Sequence, residues 1–134
     1  MKIKILLCVI SVFCAGFPAK AIEQSPLVGS SVLESSRVLK STPGALISFQ
    51  AYNSSGSQQF ILIIDAASVP SNGAVTLLCP PIPVPALTTV TLPITVAIRA
   101  TNGIVVANSS TGFVSGSAVL TIGSADCFFK AQIL

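Results

Sequence analysis

A chain of 134 residues with seven basic and four acidic side chains, no histidine, no tryptophan and one tyrosine has room for one hydrophobic core and little ionisable chemistry. The missing histidines remove the usual general base, the Ser-His-Asp and Cys-His arrangements and histidine-based metal sites, and no glycine-rich phosphate loop is present. With 8% charged residues against 51% apolar ones, the surface must be solvated by Ser, Thr, Asn and Gln.

Residues 1–21 have the build of a secretory signal peptide. Lys2 and Lys4 precede an apolar stretch from Ile5 to Phe17 broken only by Ser11 and Gly16, Pro18 ends it, and Ala19-Lys20-Ala21 supplies small residues where a signal peptidase inspects the chain. The stretch is shorter than the roughly 20 residues of a bilayer-spanning helix, so no stable membrane span is expected after cleavage. Phe13 before Cys14 disfavours a lipoprotein signal, and an uncleaved docking segment is the alternative. Cleavage after Ala21 leaves Arg37, Lys40, Arg99 and Lys130 against Glu23, Glu34, Asp65 and Asp126, a domain of zero net charge. The basic excess therefore belongs to the leader, and no nucleic-acid partner is expected. A neutral, sparsely charged surface inclines a domain towards self-association or a place in a larger protein assembly. The expected localisation is secreted or periplasmic, in the cell envelope.

Residues 22–34 carry no sustained period and contain Pro26 and Gly29, which reads as an arm or linker. From Ser35 onward the patterning is that of strands. Over 44–53, Ile47, Phe49 and Ala51 share one face and Ser48 and Gln50 the other. Residues 58–65 (QQFILIID) contain a continuous apolar run, as expected of a central strand covered on both sides. Val75, Leu77 and Cys79 share a parity. Over 88–98, Val90, Leu92, Ile94, Val96 and Ile98 oppose Thr89, Thr91, Pro93 and Thr95, and Pro93 predicts an edge strand or a bulge. Residues 104–107 form a second buried run, Leu120 and Ile122 a short strand, and Cys127, Phe129, Ala131 and Ile133 one face of the last.

Turn chemistry punctuates these runs at Pro43-Gly44, 53–56, 70–73, Asn102-Gly103 and Gly123. The proline cluster at 80–85 predicts an extended, polyproline-like stretch, either a ligand for a proline-reading domain or a rigid loop crossing between two sheets. The expected fold is an all-β antiparallel sandwich over 35–134, jelly-roll-like, with seven or eight strands.

Few residues offer chemistry. Cys79 and Cys127 form either a disulfide, in an oxidising compartment, or two buried free thiols. Asp65 ends a buried strand and reads as a turn cap rather than an active-site carboxylate, and Asp126 likewise as structural. Arg37 and Arg99 are solvated strand ends or holders of an acidic ligand. Asn53 and Asn108 each begin an Asn-Ser-Ser sequon, a match expected by chance in so Ser- and Asn-rich a chain. Phe49, Phe60 and Phe129 read as core, whereas Tyr52 and Phe128 fall on the outward parity and are candidate interface residues. No catalytic residue, cofactor or metal site is expected.

The runs RVLKSTPGALIS (37–48), IIDAASVPSNGAV (63–75), NGIVVANSSTGF (102–113) and GSADCFFKAQ (123–132) together resemble small all-β virion-associated structural proteins encoded by tailed phages and prophages. The resemblance spans about 35–133 and implies a structural piece with no catalytic residues. A leader is unusual for such a protein and points instead to an exported subunit of a surface assembly. The expected function is accordingly a non-enzymatic structural or assembly module, with a monomeric carbohydrate- or receptor-binding domain as the alternative.

Overall fold

The computed structural model describes residues 25–114 and 117–134; the leader read over 1–21 lies outside them. The described residues form twelve strands and no helix: β1 (Leu27–Gly29), β2 (Ser36–Lys40), β3 (Gly44–Asn53), β4 (Gln59–Asp65), β5 (Gly73–Ala74), β6 (Ile82–Val84), β7 (Thr88–Leu92), β8 (Ile98–Ala100), β9 (Ile104–Ser109), β10 (Phe113–Val114), β11 (Ser117–Leu120) and β12 (Cys127–Ile133). Every pairing is antiparallel, and the sheets remain open rather than closing into a barrel. The count exceeds the expected seven or eight because β1, β5, β6, β8 and β10 are two or three residues long, too short to establish a period.

Three sheets stack in sandwich-like fashion. The first runs β1-β12-β3-β7, with β8 also on β3; the second runs β2-β9-β4-β6; the third is β10-β11-β5. The main core lies between the first two. Leu46, Phe49, Phe129 and Ala131 enter from one side and Ile61, Ile63, Val84, Ile104 and Val106 from the other. On the far side of the second sheet, Leu62, Ile64, Val105 and Ala107 meet Leu120, Val75, Leu77 and Ile122 of the third layer. β4 and β9 are therefore covered on both faces, which is why their apolar runs are continuous rather than alternating.

The register of the first sheet is interrupted at one place across its width. Leu46 and Ser48 of β3 pair with Ile133 and Gln132, leaving Ile47 unmatched as a bulge. On the other side of β3, residues 93–97 bulge between β7 and β8. The expected edge character and bulge at Pro93 are both present. The bulges also reset parity: Leu46 rather than Ile47 is buried, and Val96, expected to face inward, is 79% exposed.

Other expectations need correction. The 25–34 part of the arm is docked, with β1 pairing β12. Part of the proline cluster is itself the edge strand β6, on which Pro83 faces outward; the crossing to the first sheet is left to residues 85–87. Phe60 is half-buried over Gly112 instead of filling the core. Cys79 and Cys127 stand as free thiols, the second of the two readings the sequence leaves open. Cys127 belongs to the first sheet, whereas Leu77 and Leu78 tie the chain leading to Cys79 to β4 of the second. Both cysteines pack as apolar side chains against the main core, and burial raises both thiols, Cys127 to about 11 with Asp126 contributing.

Candidate functional site

The outer face of the first sheet is free of any covering layer among the described residues, and its register sets out three rows. Leu27, Gln132 and Ser48 form the first, Gly29, Lys130, Gln50 and Thr91 the second, and Phe128, Tyr52 and Thr89 the third. Tyr52 and Phe128, the two residues the sequence assigns to an interface, are thus direct cross-strand neighbours. Directly opposed side chains stand about 4.5–5.5 Å apart at Cβ, close enough for two rings to pack. Phe128 remains 38% exposed, so the pair is held in place yet available.

Beside the rings lies a depression of about 380 Å³ lined by Leu27, Gly29, Ser30, Gln50, Tyr52, Thr89, Phe128 and Lys130. Gly29 lines it without a side chain, and a Cβ there would stand 2.8 Å from the Phe129 carbonyl oxygen. The polar residues around it are fixed in pairs: Ser48 Oγ donates to Gln132 Oε1 at 3.2 Å and Gln50 Nε2 to Thr91 Oγ1 at 3.2 Å. Lys130 is the one charge in the three rows. A surface of two rings, amides and hydroxyls with a single cation can bury against a neutral partner without stranding carboxylates.

The alternating parity of β3 and β12 already identifies Tyr52, Gln50 and Phe128. Leu27 and Gly29 escape sequence reasoning, because a three-residue strand in an aperiodic segment leaves no pattern.

The remaining candidates are spent on structure. Asp65 caps a turn, though it is the β8–β9 turn rather than the one at its own end of β4. Its Oδ1 accepts from the amides of Thr101 (3.1 Å), Asn102 (2.8 Å) and Gly103 (3.3 Å), and its Oδ2 from Thr101 Oγ1 (2.6 Å). The Thr101 hydroxyl and then these amides hold its carboxyl down to about 2. An ordinary carboxylate near 3.8 in the unfolded chain takes up its proton first, so the contribution is complete above about pH 4 and is lost as pH falls towards 2. Asp65→Asn should lower stability at pH 7 by about 1 kcal/mol, a figure reduced for the exposed setting, and should shrink that difference at pH 2. Urea titrations of both proteins at the two pH values measure it.

Asp126 shapes the turn before β12, its carbonyl accepting from Ser54 N and Ser54 Oγ, both at 2.8 Å. Arg37 Nε pairs with Glu34 at 2.7 Å, and Arg99 stands exposed on β8 in the other sheet, so the two arginines form no common site. Both sequon asparagines are fully buried. Asn53 Nδ2 faces three carbonyl oxygens and Asn108 Nδ2 donates to Ser124 O at 3.0 Å, so neither amide is open to a glycosyl donor in the folded domain.

No protein family, curated protein or solved structure matches this chain.

Proposed function

We propose that this chain is a non-enzymatic structural module that associates through the outer face of its first sheet, with a second copy of itself as the partner. The observation that carries the reading is the outward-facing pair of half-buried Tyr52 and exposed Phe128 beside the depression at Gly29, on a face with one charge. Aromatic side chains of this kind anchor interfaces, each costing about 2 kcal/mol or more when truncated at a hot spot. Two of the four outer strands of the core sheets disfavour edge-to-edge contact: Pro93 and its bulge blunt the β7–β8 edge, and Pro83 blunts β6.

The same proposal takes the fold as a jelly-roll-like sandwich and the chain as an exported subunit of a surface assembly, the leader being removed after Ala21. Membership of a phage-like virion is its variant for a chain that keeps the leader.

Sedimentation velocity tests the contact. Tyr52→Ser/Phe128→Ser should weaken self-association at least 100-fold while leaving the thermal midpoint within a few degrees, since both side chains lie on the outer face. The intact mass of the native material should begin at Ile22; a mass retaining Met1 in particles would favour the virion variant. A wild-type chain that stays monomeric at millimolar concentration rejects the assembly reading. It would leave the monomeric binding domain, which the flanking amides and hydroxyls of Gln50, Gln132, Ser48 and Thr89 favour as a shallow carbohydrate platform.

A further inference from the structure

The outer edge of β12 offers main-chain donors and acceptors along its whole length, and among the described residues one short segment answers them. Ile133 N donates to Pro26 O at 3.4 Å, Ser30 N to Phe129 O at 2.8 Å, Phe129 N to Ser30 Oγ at 2.9 Å and Glu34 N to Cys127 O at 2.9 Å, while Cys127 N returns a bond to Glu34 O at 3.3 Å. Only Val28 of this segment packs against the main core. Attachment is therefore mostly through the backbone, and backbone bonds do not distinguish one copy of a chain from another.

Topology makes the segment separable. β1 belongs to the first sheet, whereas β2, which begins at Ser36, pairs only with β9 of the second. Residues 31–33 connect the two as a hinge, with Ser31, Val32 and Leu33 all exposed. Lifting β1 away would withdraw only Val28 from the main core and nothing from the outer cluster. Val32 is 63% exposed and Leu33 39%, so the hinge holds two apolar side chains in water when β1 folds back on its own domain. If the hinge instead extends to a neighbour, the two hinges of a pair run past one another, and these side chains gain a partner.

We infer that β1 is an exchangeable strand, with residues 26–30 of one copy completing β12 of the next. This rests on the self-association proposed above and adds its connectivity. β1 with its own β12 and β1 with a neighbour's make the same bonds, so the balance is set by the local concentration of copies and by the hinge. Leu27 and Gly29 line the depression beside Tyr52 and Phe128, so under exchange each copy supplies one wall of its neighbour's candidate interface.

A disulfide trap decides it. Leu27 and Gln132 are opposed in the register between the hydrogen-bonded pairs at Pro26–Ile133 and Ser30–Phe129, the closer kind of antiparallel pair and the better suited to a bridge. Both side chains face solvent, so Leu27→Cys/Gln132→Cys leaves the core untouched. The full chain carrying both changes is oxidised at assembly concentration and after 1000-fold dilution, run on denaturing non-reducing gels, and the 27–132 link is located by peptide mass mapping. Exchange predicts covalent dimers and longer ladders joined through 27–132 at high concentration, giving way at least tenfold to the intramolecular link when the protein is diluted first. Only the intramolecular link, in protein that still sediments as an assembly, overturns exchange and leaves face-to-face association standing. Only the intramolecular link, with this variant and the wild-type chain both sedimenting as monomers, overturns both.

Discussion

Gly103→Ala should remove a large share of the stability of this domain. A Cβ at Gly103 would stand 2.6 Å from the Ala66 carbonyl oxygen, 2.7 Å from that of Lys40 and 3.0 Å from the Ala67 Cα. All three are backbone atoms, and they come from two separate segments, so no side-chain rotation relieves the clash. The turn cannot simply back away, because Gly103 N and its two predecessors are bonded to the Asp65 carboxylate. Overpacking of this kind costs about 3 kcal/mol or more, set against the roughly 5–15 kcal/mol that holds an average domain together. A fall of about 12 °C or more in the thermal midpoint is the expected readout. Gly56→Ala provides the comparison, since a Cβ there meets nothing within 4 Å, and its midpoint should stay level or rise slightly. Equal midpoints for the two variants would show that the β8–β9 turn does not lie against residues 66–67 and 40.

The same glycine shows how far the sequence can be read. Asn102-Gly103 marks a turn in the chain, and a turn is there. What makes the glycine necessary is the approach of two backbones far away in sequence, which no local pattern encodes. The strands divide in the same way. β4 and β9 are plain in the sequence because burial on both faces writes an unbroken apolar run, and β12 because burial on one face writes an alternation. Ile47 and Val96 depart from the face their parity predicts because each lies in a bulge, and a single extra residue reverses a period of two. Cys79 shares a parity with Val75 and Leu77 yet packs against the main core while they pack in the outer cluster. Its segment passes from one layer to the other between them. For the candidate surface, Tyr52 and Phe128 are legible separately, each from its own strand. Their adjacency is a matter of register between β3 and β12, and the wall supplied by Leu27 and Gly29 depends on an arm whose only order comes from docking.

Asn53→Asp, a substitution that barely changes shape, should be the most damaging polar exchange in the domain at neutral pH. Asn53 ends β3, is fully buried, and lies where the chain leaves β6 for β7. Its Nδ2 points at Ser57 O (2.9 Å), Val84 O (3.1 Å) and Pro85 O (3.1 Å), and its Oδ1 accepts from Ser55 N at 2.9 Å. This one amide therefore fastens the crossover between the two core sheets to the end of β3. An aspartate would keep the bond from Ser55 but turn a buried anionic oxygen towards three carbonyl dipoles. Unsatisfied acceptors and an unpaired buried charge together should cost about 4 kcal/mol or more. The charge would be relieved by protonation, so the new carboxyl should titrate above its ordinary range in the folded protein. The folded state then holds a proton the unfolded chain has released, and stability must rise as pH falls through the raised value towards about 4. Below that, the loss of the Asp65 cap begins to act in the opposite direction. Urea midpoints should consequently peak near pH 4 for Asn53→Asp, whereas Asn53→Ala, with a cavity and no charge, should track the wild-type profile at a level about 3 kcal/mol lower. The aspartate variant should be the weaker of the two at pH 7 and at least the equal of alanine at pH 4. Parallel profiles for the two variants would mean that the carbonyls of residues 57, 84 and 85 do not converge on this side chain. The crossover would then owe its position to the packing of Val84 alone.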